Sequence, residues 1–236
     1  MQKRGNKVDI SLIENKKIAI LGGTGNEGKG LAYRWVKAGL SVIIGSRNLE
    51  KAQTAVDDLK NRLTDDVDLS AMENVQAAGL ADIIVITVPY KVHAGMVKSI
   101  APYCNGKIVV DVTVPLNPPK VTKVYVPDAG SAAQEAQMIL GEDAFVVSAF
   151  QNVSFEHLLS DEEINCDVLV AGKGKEARSV VIELVEKAGM LGWDAGAIEN
   201  SVVIEGLTSI LIGINKENGV KSSGIRISGV PGKSVL

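Results

Sequence analysis

Lys17-Ile-Ala-Ile-Leu21 runs directly into Gly22-Gly-Thr-Gly-Asn-Glu-Gly-Lys-Gly30, and this junction constrains the fold more than any other stretch. A short apolar strand, a glycine-rich turn and an amphipathic helical pattern follow one another without a gap. Gly23, Gly25 and Gly28 fit the spacing G-x-G-x-x-G. The first glycine permits the tight turn, the second lets backbone approach a pyrophosphate, and the third lets the helix pack close to the strand. The helix N-terminus then offers free N–H groups to phosphate oxygens. Thr24, Asn26 and Glu27 stand between these glycines. The span Gly23 to Lys29 also reads G-x-x-x-x-G-K, but a triphosphatase loop needs Ser or Thr next to hold Mg²⁺, and Gly30 stands there.

The alternation continues. Apolar runs at 41–45, 82–87, 107–112 and 144–149 read as strands, with a weaker one near 67–69. Residues 27–38 predict a helix with Leu31, Trp35 and Ala38 on one face. Residues 49–63 predict another with Ala52, Ala55, Leu59 and Leu63 inward. Ser131 with Gln134 forms a capping-box signature opening a helix over 131–140. Near-continuous apolar strands alternating with helices mean a parallel sheet covered on both faces. The expected fold is therefore α/β: a Rossmann-type, doubly wound, mostly parallel sheet over 16–150. A polar N-terminal extension (1–15) precedes it, and a small C-terminal domain (151–236), α/β or mainly helical, follows. That last region carries a strand at 167–171, a helix at 176–188 and a long helix at 199–216. In the long helix Val203, Leu207, Ile210, Leu211 and Ile214 fall in register, widened by Val202, Ile204 and Ile212. Such a face suits a core helix or one that also meets a partner subunit. The fold of the tail after Gly219 is not legible.

The end of the second strand selects the dinucleotide. An NAD site places a carboxylate there for the ribose hydroxyls. This chain has Gly45-Ser46-Arg47, with no carboxylate before Glu50. Ser46 and Arg47, with Thr24 opposite, read as a clamp on a 2′-phosphate, which favours NADP over NAD. Val88, Pro89 and Tyr90 follow the strand at 82–87 and are expected on the nicotinamide side of the crevice, although Tyr90 also suits a half-buried surface position. Asp111–Pro115 and Ser148–Val153, including Ala149, end neighbouring strands at the same edge. Two cysteines and two histidines exclude a disulfide framework and make a metal site improbable. His93 and His157 are expected to be structural. A net charge of −3 and 4% aromatic residues argue against nucleic acid. No apolar run long enough to cross a bilayer and no signal core is present, so the expectation is no membrane partner and a cytoplasmic location.

Taken together, Gly22–Gly30, Ile43-Ile-Gly-Ser-Arg47, Val109-Val-Asp-Val-Thr-Val-Pro115, Gly130-Ser-Ala-Ala-Gln134, Val147-Ser-Ala-Phe150, Asp194-Ala-Gly196, Leu207-Thr-Ser209 and Gly224-Ile-Arg-Ile-Ser-Gly229 resemble the NADPH-dependent deazaflavin reductases, across roughly residues 16–229. The resemblance implies hydride exchange between NADP(H) and coenzyme F420, a deazaflavin pocket between a Rossmann domain and a small C-terminal domain, and a homodimer. It also implies that Thr24, Ser46 and Arg47 bind the adenosine phosphate, that Gly23, Gly25, Asn26 and Glu27 form the pyrophosphate loop, and that Pro89, Gln151 and Val153 help position the rings, with no side chain required as acid or base. The family pattern has histidine after Ser-Ala-Phe, where this chain has Gln151, an amide that hydrogen-bonds but carries no charge. Two rival readings share the glycine loop: a reductase of an imine or carbonyl, and a non-catalytic NADP-binding redox sensor.

Overall fold

The computed structural model describes residues 11–63 and 66–231. Its eight strands are β1 (Lys17–Leu21), β2 (Ser41–Ser46), β3 (Leu69–Glu73), β4 (Ile83–Ile86), β5 (Ile108–Asp111), β6 (Phe145–Ser148), β7 (Asp167–Gly172) and β8 (Leu191–Gly196). They form one sheet in the order β3-β2-β1-β4-β5-β6-β7-β8. Only β6 and β7 pair antiparallel. The order reverses between β1 and β4, and a doubly wound sheet opens its ligand crevice at that point, beyond the carboxyl ends of the strands.

The helices are α1 (Asn26–Lys37), α2 (Leu49–Lys60), α3 (Asn74–Leu80), α4 (Tyr90–Ile100), α5 (Ala132–Leu140), the single turn α6 (Phe155–Leu158), α7 (Lys175–Lys187) and α8 (Ser201–Asn218). Strand side chains alternate between two faces. Ile18, Ile20, Val42 and Ile44 pack with Trp35 of α1, Leu59 of α2 and Leu184 of α7. Ala19, Leu21 and Ile43 pack on the other face with Ala77 of α3, Val97 of α4 and Ala136 of α5. Both faces are thus covered, as the unbroken apolar strands require. Trp35 is fully buried, donates its Nε1–H to the Leu184 carbonyl (2.9 Å) and meets the Phe150 ring edge-on.

Several local expectations need correction. α1 ends at Lys37, so Ala38 is its exposed C-cap and does not point inward. α2 ends at Lys60, which leaves Leu63 only partly packed beyond it. The weak strand starts at Leu69, where the expected one ended. Residues 1–10 of the expected N-terminal extension lie outside the described residues. Of the rest, Ile13 is fully buried, and Ser11 Oγ and the Leu12 N–H both donate to Glu183 of α7.

The largest correction concerns α8. Ile204 and Leu211 are buried, but Val203, Ile210 and Ile214 are 62%, 51% and 43% exposed. The face turned inward carries Ser201, Glu205 and Ser209 instead. Their hydrogen bonds orient the helix and leave an apolar stripe outside. The chain after residue 150 adds β7 and β8 to the same sheet. Residues 225–227 lie along β7: the Asp167 N–H donates to the Ile225 carbonyl, and the Asp167 carboxylate accepts from the Ile227 N–H and pairs with Arg226.

Candidate functional site

A cleft of about 1150 Å³ follows the carboxyl edge of the sheet across the switch point. Its floor is the glycine loop. A Cβ on Gly23 would lie 2.7 Å from the Ile20 carbonyl oxygen, and one on Gly28 would lie 2.6 Å from the Gly23 Cα and 2.8 Å from Thr87 Oγ1. These two glycines therefore shape the loop from beneath. Gly22 has φ +74° and a Cβ there would strike Val88 Cγ1 at 2.7 Å, so this residue, too, must be glycine. Gly25 differs. It is exposed, a Cβ would meet nothing closer than 3.6 Å, and it is the N-cap of α1 without any side-chain cap bond. The positive end of α1 is therefore open toward the cleft, with room for an anion.

Thr24, Asn26 and Glu27 line the cleft, as expected. Oε1 of Glu27 is buried and has no hydrogen-bond partner. Burial pushes this carboxyl up to about 8.

Ser46 and Arg47 line the end beside β2. Ser46 Oγ accepts from the Asn48 N–H (3.2 Å), which shapes the turn and leaves the exposed Arg47 guanidinium free to move. Lys51 and Asn48 line the same end. They escaped the sequence reading, although the signal was available. Asn48 caps α2 by accepting the Lys51 N–H (3.0 Å), so the first turn of that helix must begin beside Arg47. Asn74 was also missed. Its Oδ1 accepts the Gly22 N–H (3.1 Å) and ties the start of α3 to the glycine loop.

At the other end lie Thr87, Val88, Pro89, Lys91, Val112, Thr113 and Val114. Pro89 is the N-cap of α4. Tyr90 does not line the cleft. It stacks on the His93 ring (centroids 6.0 Å apart, planes at 25°) and leans on Tyr125. Ser148, Ala149, Gln151 and Val153 do not line the cleft either, contrary to expectation. The chain leaves β6 through Phe150, whose φ of +76° is rare for a side chain of this size. That turn carries the following residues under the wall. Gln151 is 5% exposed, and its Nε2 donates to the Asp111 carbonyl (2.7 Å) and to Ser148 Oγ (2.9 Å). Its Oε1 is buried without a partner.

Behind this end sits a buried charge network. His93 donates through Nε2 to Asp111 (2.7 Å) and through Nδ1 to Glu135 (2.9 Å). Burial alone would lower the imidazole, but the two carboxylates outweigh it and raise it to about 9. Glu205 of α8 accepts the N–H groups of Ala132 (2.7 Å) and Ala133 (3.1 Å). Burial, then Asp111, push its carboxyl up to about 8 against those two donors and His93. Both ring nitrogens of His93 are thus taken up within the protein. No cluster of three metal-ligating side chains exists among the described residues.

The fold and cleft define a protein of Rossmann type with a cleft at its topological switch point, and comparisons narrow that class. The family described as NADP oxidoreductase coenzyme F420-dependent matches residues 17–115. The F420-dependent NADP reductase of Methanocaldococcus jannaschii is 41% identical over 220 residues, covering 90% of this chain and 98% of that protein. That of Methanothermobacter thermautotrophicus is 39% identical, covering 91% and 96%. This chain belongs to the F420-dependent NADP reductase family. At fold level, an Arthrobacter structure provisionally described as an F420-dependent NADP reductase superposes with TM-score 0.74 at 20% identity, covering 91% of this chain and all of that one. Plasmodium falciparum pyrroline carboxylate reductase superposes with TM-score 0.56 at 15% identity, over 87% and 68%.

Proposed function

We infer that this chain transfers hydride between NADP(H) and coenzyme F420. The carrying observation is the single cleft, in a member of this family, that runs from a cationic end at Arg47 and Lys51, over the open α1 N-terminus, to an apolar end at Val88, Pro89 and Val114. The chemistry the two cofactors supply when bound is a direct hydride transfer between their rings. Arg47, Ser46 and Thr24 bind the 2′-phosphate, with Lys51 adding charge. Gly25, Asn26 and the α1 N-terminus hold the pyrophosphate. Val88 and Pro89 exclude water on the nicotinamide side. Gln151 and Val153 act from beneath the wall: Gln151 ties β5 to β6 and so holds Asp111–Thr113 in position. We assign residues 16–150 to dinucleotide binding and 151–236 to closing the second-ring side.

The partners are small molecules rather than nucleic acid, in keeping with the net charge of −3. Among the described residues no helix is long and apolar enough to cross a membrane, and a cytoplasmic location is the simplest one for such an enzyme. The exposed Val203, Ile210 and Ile214 stripe on α8 supports a homodimer. Sedimentation at micromolar concentration should find twice the 24.9 kDa chain mass, and Ile210→Glu should return it to the monomer.

The reaction is tested by mixing protein, NADPH and oxidised F420 without oxygen and following loss of the deazaflavin's visible absorbance. Turnover of an imine or carbonyl with none of F420 would reject the reading, as would NADPH binding with no hydride transfer to any acceptor.

A further inference from the structure

Glu27 is an unusual group for a pyrophosphate loop. It lines the cleft within the first turn of α1, directly after the open Gly25 cap. An ionised carboxylate there would compete with the cofactor's own phosphates for the positive helix end. The structure provides no cation to neutralise it. The charged groups on the surrounding elements are Arg47 and Lys51 beyond β2, Glu73 at the end of β3, Lys91 on α4, and Lys29 on α1 itself; α6, packed on α1, carries Glu156 and His157. Among the described residues, none of these pairs with Glu27. Its buried Oε1 accepts no hydrogen bond. Glu27 as a whole is only partly buried, so its second oxygen, Oε2, is left for the cleft; with Oε1 buried and unpaired, that carboxyl is better suited to donate a hydrogen bond than to carry a charge.

We propose that Glu27 binds the dinucleotide as a neutral carboxylic acid, donating a hydrogen bond to a phosphate oxygen, so that in alkaline solution, where the free carboxyl is ionised, binding of NADP(H) draws a proton from solvent. No bond to carbon changes, and the proton returns to solvent when the cofactor leaves. The proposal rests on the NADP(H) reading given above and adds a proton to it. The elevated carboxyl, near 8 before binding, keeps most molecules ready at neutral pH and makes the linkage visible just above it.

The test is the NADPH dissociation constant from pH 6 to 9.5 for the parent chain, Glu27→Gln and Glu27→Leu, with calorimetry at pH 8 in two buffers of different ionisation enthalpy. The 2′-phosphate and all other groups titrate equally in the three proteins and cancel in the ratios. Relative to Glu27→Gln, parent affinity should fall about tenfold per pH unit above about pH 8.5, and parent binding should take up about half a proton more at pH 8. Glutamine, still a donor, should match the parent at pH 6, while leucine should bind several-fold more weakly there. Should Glu27→Gln fail to fold, the parent-to-leucine ratio must show the same pH slope. Identical slopes in all three proteins would overturn the proposal. So would weak binding by glutamine at pH 6, because the carboxylate would then be an acceptor. Absence of NADPH binding to the folded parent at any pH would instead reject the NADP(H) reading itself.

Discussion

Two helix N-termini in this molecule have a glutamate with a buried carboxyl oxygen beside them, and they treat it in opposite ways. At α5, Ser131 caps the helix through the Gln134 N–H, and Glu205 reaches from α8 to accept the N–H groups of Ala132 and Ala133. The helix end is filled by the protein's own carboxyl oxygens. At α1 the cap is Gly25, no side chain closes the end, and Glu27 hangs beside it without a partner. Burial pushes both carboxyls to about 8. The same kind of helix end is therefore closed at one site and open at the other, and what separates them is whether another element supplies the acceptors.

Removing the charge should expose that difference most strongly. Glu205→Ala leaves two buried N–H donors without acceptors, each worth about 1–3 kcal/mol, so unfolding free energy should fall by roughly 2–6 kcal/mol in denaturant titration. Glu27→Ala loses no bond and removes a carboxyl that the fold holds protonated up to about 8, so it should leave the protein as stable or more stable at neutral pH. Equal losses would erase the contrast.

Binding should show the reverse pattern. Arg47→Ala should weaken NADPH by about 1–3 kcal/mol through loss of charge-assisted bonds, and leave NADH little changed. Equal weakening of both would mean that Arg47 does not read the 2′-phosphate. Glu205→Gln, measured in the same titration, should leave NADPH affinity untouched.

Gln151 lies between the two regions. Gln151→Ala removes the tie to Asp111 and should lower stability by about 1–1.5 kcal/mol. It should raise the Michaelis constant for F420 and spare NADPH affinity. Gln151→His should keep activity or increase it, and add a pH dependence near the imidazole range. Unchanged melting temperature and F420 kinetics in both variants would remove Gln151 from any positioning role.

The most gradual effect is a slope with pH. His93 is raised from 6.5 to about 9 in the folded state, since Asp111 and Glu135 outweigh its burial. The fold favours its charged form, so this stabilisation is complete below about pH 6.5 and is lost as pH rises through 9. Glu205 acts in the same direction between 4.5 and about 8, because the folded chain holds that proton where the unfolded chain has released it. Thermal melts should therefore decline from pH 6.5 to 9, and His93→Gln should flatten that decline. An unchanged slope would mean that another group carries it.

Much of this molecule was legible because its signals are local. The five strong strands declared themselves as short apolar runs, and the glycine loop needed only its spacing and the strand before it. Ser131 and Gln134 marked the start of α5 three residues apart, and Ser46-Arg47 fell at the cleft end of a strand already found. These features depend on backbone sterics and on neighbours within one turn or one strand.

What remained hidden depended on residues far apart in the chain. The pattern of α8 offered apolar residues on several sides and could not say which side turns inward. Glu205 decides that by reaching α5, about seventy residues earlier, and so leaves Val203, Ile210 and Ile214 outside. Likewise, Gln151 follows a strand that ends at the crevice, yet the positive φ at Phe150 and the carbonyl of Asp111 draw it beneath the wall. Sequence alone determined the doubly wound sheet and its dinucleotide loop, because periodicity and turn sterics act over a few residues. Tertiary structure alone decided which polar groups are satisfied internally and which are left for a ligand, because a buried hydrogen-bonding group is answered by whatever the folded chain brings near it.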